Sequence, residues 1–476
     1  MLAMDIEFKE NSTIFPKKQF SESGGINMDI SMDYLDHQAE ILKKNDDISK
    51  SLFDEYGVKK GLRDENGAGV LTGLTSISTI NAFKMIDGVK TPCDGELFYR
   101  GYNVRDIVKG AAGKRFIYEE AAYLLLFGEL PDEAQLKEFK ANLSELMRLP
   151  TNFTRDVIMK APSEDIMNSM TRSILTLASY DPKKDDLSLS NVLRQSMMLI
   201  SVFPMLAVYG CHAYNHYSLD ESMYIHRPDP SLTLAENFLR LLRPDMKFTQ
   251  LEAQVLDAAL LLHMEHGGGN NSTFTTRVVT SAGTDTYSAI AAAMSSLKGH
   301  KHGGANLQVI KMMDDIRMHV SDYEDEDEIA DYLLKILHKE AYDRKGLIYG
   351  MGHAIYSLSD PREQILRWFV ERLAHEKGRN EDLGLYQRIE RIAPQLIAKE
   401  RKIFKGVCPN VDFYSGFVYE MLGIPRELFT PLFAIARISG WSAHRLEELV
   451  TMDKIIRPAY RSVAENKVYI PMSARK

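Results

Sequence analysis

Leu256–Val279 reads LDAALLLHMEHGGGNNSTFTTRVV. An apolar run with helical spacing gives way to a histidine, three glycines and a string of small polar residues. Each glycine costs roughly 1 kcal/mol relative to alanine inside a helix, so a run of them marks a chain that must stop, turn and come close to something. The predicted helix covers 250–266, Gly267–Gly269 end it, and Asn270-Asn271-Ser272-Thr273 offers N-cap chemistry for the next helix. His266 is thereby placed at a helix end beside open backbone, where its ring can face a ligand. Taken alone, such a histidine is more often satisfied by a neighbouring carbonyl.

The helical period of that stretch continues on both sides. In Leu130–Met147, Leu136, Phe139, Leu143 and Leu146 recur at three- and four-residue steps behind a Pro131-Asp132-Glu133 start. Similar patterns cover 186–209, 233–243, 285–298, 327–339, 363–376, 384–404, 413–422, 427–439 and 442–450. No fixed-period repeat and no strand–helix alternation is present, which disfavours a solenoid and a parallel sheet. Strand character is confined to VLTGLTSISTI (70–80) and GELFYRGYNV (95–104), which predict a small sheet. The expected fold is all-α with a small β element near the N-terminal part. Residues 1–60 read as a polar extension with one helical pattern at 34–48, its first ~25 residues poorly ordered. The Ala- and Ser-rich segment 287–299 suits either a buried central helix or a helix at a subunit interface.

Of the chain's 476 residues, 45% are hydrophobic and 26% charged, and the net charge is −8. This acidic balance disfavours nucleic acid and anionic membranes as partners. Cys93, Cys211 and Cys408 lack metal or redox spacing, which points to a reducing compartment. The most apolar run, Ser196–Val208, is short and contains Pro204, so a buried helix rather than a membrane span is expected. The N-terminus has no basic-then-apolar signal, and a cytoplasmic location is expected.

Three further stretches carry candidate chemistry. In LKGHKHGGANLQVIKMM (297–313), His302 precedes a Gly-Gly pair and Asn306 is placed to cap a helix with Leu307, Ile310 and Met313 on its inner face. A histidine just before a helix start feels the positive end of the dipole, which favours the neutral ring. In IYGMGHAIYSLSDPREQIL (348–366), Gly350 and Gly352 flank Met351 before His353, and Asp360-Pro361-Arg362 opens another helix. In CPNVDFYSG (408–416), Asp412 stands before an apolar run. An Asp there is commonly a cap, yet beside Phe413 and Tyr414 a partly desolvated carboxylate becomes a better base.

Together these motifs resemble the citrate synthase family from about residue 66 to the end. HGGAN (302–306), GMGH with DPR (350–362) and PNVDFYSG (409–416) occur in the family's order. Ile86–Ile107, AENFLR (235–240), LFAIARISGWSAH (432–444) and IIRPAY (455–460) look like its less catalytic signatures. The resemblance implies two helical domains: a large one from 61–303 and 424–476, and a small one from 304–423. It implies condensation of oxaloacetate with acetyl-CoA, with Asp412 as base, His302 as hydrogen-bond donor to the thioester oxygen and His353 polarising the keto group. His266, Arg362, Arg437 and Arg457 would hold oxaloacetate, with Arg457 reaching across a homodimer, and neither metal nor redox cofactor takes part.

Two departures stand out. Ala354, Ile355, Tyr356 and Ser357 offer no basic residue where the family usually has one for CoA phosphate, leaving Lys301, Lys311 and Lys345 as substitutes. His300-Lys301 replaces the usual Pro-Leu before His302. Propionyl-CoA, giving a 2-methylcitrate synthase, is the runner-up substrate, because one methylene is worth only about 1–3 kcal/mol of discrimination. Of a different class is a zinc site on His263 and His266, one helical turn apart in the predicted helix. A helical scaffold without catalysis would lack one of His302, His353 and Asp412, and all are present.

Overall fold

The computed structural model describes residues 31–64, 69–111, 116–353, 355–402, 406–451 and 454–475. The expectation of poor order over the first ~25 residues, and the Ala354 departure, lie outside these residues. Met1–Leu71 and Thr72–Lys476 form separate compact units. The first carries helices α1 (Met32–Asn45) and α2 (Lys50–Glu55), neither with a buried residue.

The second unit opens with a three-stranded antiparallel sheet of β1 (Ser78–Ile86), β2 (Val89–Tyr99) and β3 (Tyr102–Asn103). Helices follow as α3 (Val104–Ala111), α4 (Tyr118–Phe127), α5 (Glu133–Leu146), α6 (Ile166–Leu177), α7 (Leu189–Ser218), α8 (Leu234–Leu242) and α9 (Gln250–His263). Then come α10 (Asn271–Ser281), α11 (Thr286–Leu297), α12 (Ala305–His319), α13 (Glu326–Leu337), α14 (Pro361–Glu376), α15 (Asn380–Arg401), α16 (Val411–Met421) and α17 (Phe429–Thr451). The all-α expectation with one small sheet is met.

Local chemistry explains these elements. Asp132 caps α5 by accepting from Gln135 N at 2.8 Å, while the Gln135 side chain accepts from Asp132 N at 2.8 Å. The β1–β2 hairpin turns at Asp87-Gly88, both at positive φ (50° and 78°), the two-residue geometry that suits strand twist. The sheet begins at Ser78 rather than at 70, and 89–94 joins β2. Helix α9 is buried on nearly every side, as a helix apolar all round must be. It packs against α4, α8, α14 and α17. Helix α7 is long and apolar enough to cross a membrane, but it lies inside the bundle and runs unbroken through Pro204.

Several boundaries differ from expectation. Helix α9 stops at His263, three residues early, and Glu265 just beyond it is bonded to Ser78 and His444 from distant parts of the chain. The patterns at 427–439 and 442–450 belong to one helix, α17, in which Gly440 is a packing residue rather than a stop. A Cβ at Gly440 would lie 2.4 Å from the Met264 carbonyl oxygen and 2.7 Å from Glu265 Oε2. Asn306 is not a cap: Gly304 precedes α12, and the Asn306 side chain is buried within its first turn. The inner face of α12 is Val309, Ile310, Met312, Met313 and Ile316, with Leu307 only half-buried.

Candidate active site

The chain leaves α9 at His263 and reverses at Gly267, whose φ is +87°. The positive φ favours glycine, and a Cβ there would sit 2.9 Å from Ile80 Cδ1 of β1, which would have to shift. Gly268 and Gly269 are permitted rather than required: Gly268 would make ordinary contacts and Gly269 none. His266 is carried by this turn. Its ring stands perpendicular to that of His353 with centroids 5.1 Å apart, and Nε2 lies 3.4 Å from the Tyr356 hydroxyl.

His353 belongs to a turn tied to the start of α16. Gly352 N donates to Cys408 O (2.8 Å), Asn410 N to Gly350 O (2.9 Å) and Asn410 Nδ2 to Gly352 O (2.8 Å). The Ile355 and Tyr356 N–H groups donate to His353 Nδ1 at 3.0 and 3.1 Å. That places the ring proton on Nε2, which can donate to a ligand oxygen. Arg362 Nη2 lies 3.5 Å from the same Nε2. Arg362 is buried and held in a fork by Asp360, at 3.0 Å (Nε–Oδ1) and 2.7 Å (Nη2–Oδ2). Asp360 also caps α14, as the Asp-Pro-Arg reading expects.

Asp412 lies in the first turn of α16 but does not cap it. Asn410 takes that role, accepting from Asp412 N at 3.0 Å. Among the described residues no hydrogen bond occupies the Asp412 carboxylate. Part of its surface remains open, yet it is enclosed enough that burial pushes its carboxyl up to about 6, against the opposing pull of Arg362.

His302 precedes α12. The Ser272 hydroxyl (3.1 Å) and backbone N–H (3.4 Å) face its Nε2, and Trp441 Nε1 donates to that hydroxyl at 3.2 Å. Because the Ser272 backbone N–H donates to Nε2, the proton of the neutral ring sits on Nδ1. Burial first, then the Arg437 charge, lower His302 to about 4, so the ring is neutral at pH 7. Enclosure, more than the helix dipole, therefore sets its state. His266 is likewise held well below its ordinary value, by burial and then by Arg362, His353 and Arg437.

Arg437 is buried on α17, and its Nε donates to His263 O at 3.2 Å. Its charge bears on His266, His302 and Asp412, and that of Arg362 on His266 and Asp412. Two buried cations thus stand behind three half-exposed imidazoles and one carboxylate, which suits a small dianion near a proton acceptor. Arg457 lies apart, exposed on the C-terminal segment, and among the described residues no hydrogen bond or ion pair joins it to the other six. Lys301, Lys311 and Lys345 are exposed, with Lys345 3.6 Å from Asp343.

His263 and His266 do not share a helical face, because α9 ends between them. The His263 ring stacks on Phe433 at 3.8 Å. Among the described residues no group of three or more His, Cys, Asp or Glu side chains could hold a metal ion. Tyr356 escaped the sequence reading. It is buried, stacks on His353 (4.7 Å) and touches His266. Its place within three residues of His353 was the available signal.

The family model "Citrate synthase, C-terminal domain" matches residues 66–459. A citrate synthase of Synechocystis sp. is 33% identical over 394 residues, covering 80% of this chain and 89% of the relative. A 2-methylcitrate synthase of Shewanella oneidensis is 34% identical over 382 residues, covering 80% and 92%. Among solved structures, the citrate synthase of Thermoplasma acidophilum in ternary complex with carboxymethyl coenzyme A and oxaloacetate superposes with TM-score 0.71 at 28% identity. It covers 88% of this chain and 99% of that one. The helical architecture, the order of the motifs and these likenesses agree: the chain belongs to the citrate synthase family of acyltransferases.

Proposed function

We propose that the protein condenses acetyl-CoA with oxaloacetate to citryl-CoA and hydrolyses this to citrate and CoA. The observation that carries the reading is the grouping of an enclosed carboxylate and neutral histidines around two buried arginines. A thioester methyl is a very weak carbon acid, so its proton can leave only if the enolate oxygen is stabilised as it forms. Asp412, raised to about 6, is deprotonated at pH 7 and takes the methyl proton. His302, neutral with Nδ1 turned away from Ser272, donates to the thioester oxygen. His353 donates from Nε2 to the keto oxygen and makes its carbon electrophilic. Arg362, Arg437 and His266 bind the oxaloacetate carboxylates, the arginines through their planar forks. The reaction as drawn uses no metal or redox cofactor.

Residues 304–423, spanning α12–α16, form the small domain in this proposal, and 61–303 with 424–476 the large one. Closure between them would exclude water and bring Asp412 to the other groups. The protein acts as a cytoplasmic homodimer in which Arg457 completes the partner's site. Its exposure supports this, as do exposed apolar side chains along the same segment, including Tyr460, Val468 and Tyr469. Lys301, Lys311 and Lys345 are the candidates for the CoA phosphates. The Shewanella relative favours a second reading, with propionyl-CoA as substrate. Steady-state rates with each thioester and oxaloacetate decide between them. Higher kcat/KM with acetyl-CoA supports the first, higher kcat/KM with propionyl-CoA the second, and no CoA release with either refutes both.

A further inference from the structure

The GWSAH segment of α17 ends in a histidine that the proposed chemistry does not use. His444 is fully buried, and so is Glu265, next to the proposed substrate ligand His266. Arg277 donates to His444 Nδ1 from Nε (3.1 Å) and Nη2 (2.9 Å), so the ring proton sits on Nε2. That N–H donates to Glu265 Oε1 at 3.0 Å. The same oxygen accepts from Ser78 Oγ (2.8 Å) and from the Gly267 backbone N–H (2.6 Å). Tyr99, paired with Ser78 across the hairpin, donates to Leu261 O at 2.9 Å and to Glu265 O at 3.2 Å. Arg277 is anchored behind by Glu448 at 2.8 Å and by Glu447. Gly440 leaves the room that Glu265 Oε2 occupies.

We propose that Glu265, His444 and Arg277 form a buried positioning relay that holds the His266–Gly267 turn in place for oxaloacetate, an inference that rests on the reading of the site above. The relay explains why α9 stops early. A carboxylate receiving three hydrogen bonds in a dry interior has one low-energy position, and that position requires residues 264–267 to leave the helix. His266 then follows the backbone that Glu265 fixes.

The test compares Glu265→Gln, His444→Leu and His444→Gln with the wild-type full chain. Hydrogen exchange of residues 264–270 reads the turn directly, whatever the substrate. Loss of a charge-assisted bond predicts exchange at least ~10-fold faster in the first two variants, and an oxaloacetate KM raised about 10–100-fold with kcat within about threefold. His444→Gln, which keeps a donor toward Glu265 and an acceptor toward Arg277, should restore both to within about threefold of wild type. Unchanged exchange in Glu265→Gln overturns the relay. A loosened turn with unchanged oxaloacetate KM overturns its role toward the substrate. A merely structural role would lower the melting temperature and active fraction while leaving KM intact, and that result also overturns it. Should wild type itself not use oxaloacetate, the proposed function fails, while the exchange data still judge the relay's hold on the turn.

Discussion

Asp412→Asn should make this protein more stable and nearly inactive. The Asp412 carboxyl rises from an ordinary 3.8 to about 6 on folding, mainly through burial. A folded value above the unfolded one means that the native state holds the proton more tightly. Stability is therefore lost as pH rises from about 4 to 6, and the deficit persists above that. At 1.36 kcal/mol per tenfold, the shift corresponds to at most about 3 kcal/mol at pH 7.5 and about 1 kcal/mol at pH 4.5. Asparagine keeps the shape, removes the charge and releases that strain. Urea unfolding of both proteins should show the variant more stable by about 1–3 kcal/mol at pH 7.5, with the gap narrowing at pH 4.5. Condensation, followed by CoA release, should fall at least ~10²-fold, because the proposed base can no longer take the methyl proton. In wild type the acid limb of kcat/KM should fall near pH 6. At pH 5 about a tenth of the carboxyl is ionised, and at pH 7 about nine tenths. A variant less stable than wild type at pH 7.5, or with turnover within tenfold of it, refutes the reasoning.

Other outcomes follow from the same geometry. His302→Ala should leave oxaloacetate binding, read by calorimetry, within about threefold of wild type while condensation drops at least ~10²-fold. His353→Ala should abolish the downfield 13C shift of the bound oxaloacetate keto carbon, and Asp412→Asn should retain it. Gly267→Ala places a side chain at φ +87° against Ile80, and should destabilise by about 1–2 kcal/mol in urea while weakening oxaloacetate binding. Mixed Arg457→Ala and Asp412→Asn chains should recover activity in verified heterodimers, since one of the two shared sites would then be intact.

Much of this was legible in the sequence because the chemistry sits in short, local motifs. His302 before Gly-Gly, His353 after Gly-x-Gly, Asp360-Pro361-Arg362 and Asn410 ahead of Asp412 each declare a turn or cap through their own residues. The helical period likewise revealed most of the bundle. What escaped depends on partners far along the chain. The glycines announce the end of α9, but nothing near residue 264 says that it stops three residues earlier, where Glu265 meets Ser78 and His444. Gly440 looks like a break, and only the close approach of Met264 and Glu265 shows it to be packing. Asn306 has cap chemistry, but Gly304 holds the cap position and Asn306 lies two residues past it. The hairpin had a local signal that the strand reading passed over: Asp87-Gly88 between Ile86 and Val89.

The central claim is that these residues form a carbon–carbon bond rather than merely cleave a thioester. Methyl-13C acetyl-CoA and unlabelled oxaloacetate, given to the purified full chain, test it directly through the labelled product. The account predicts citrate carrying the label in one methylene, with loss of that product in Asp412→Asn. Label recovered only as acetate, or remaining in acetyl-CoA, would contradict it.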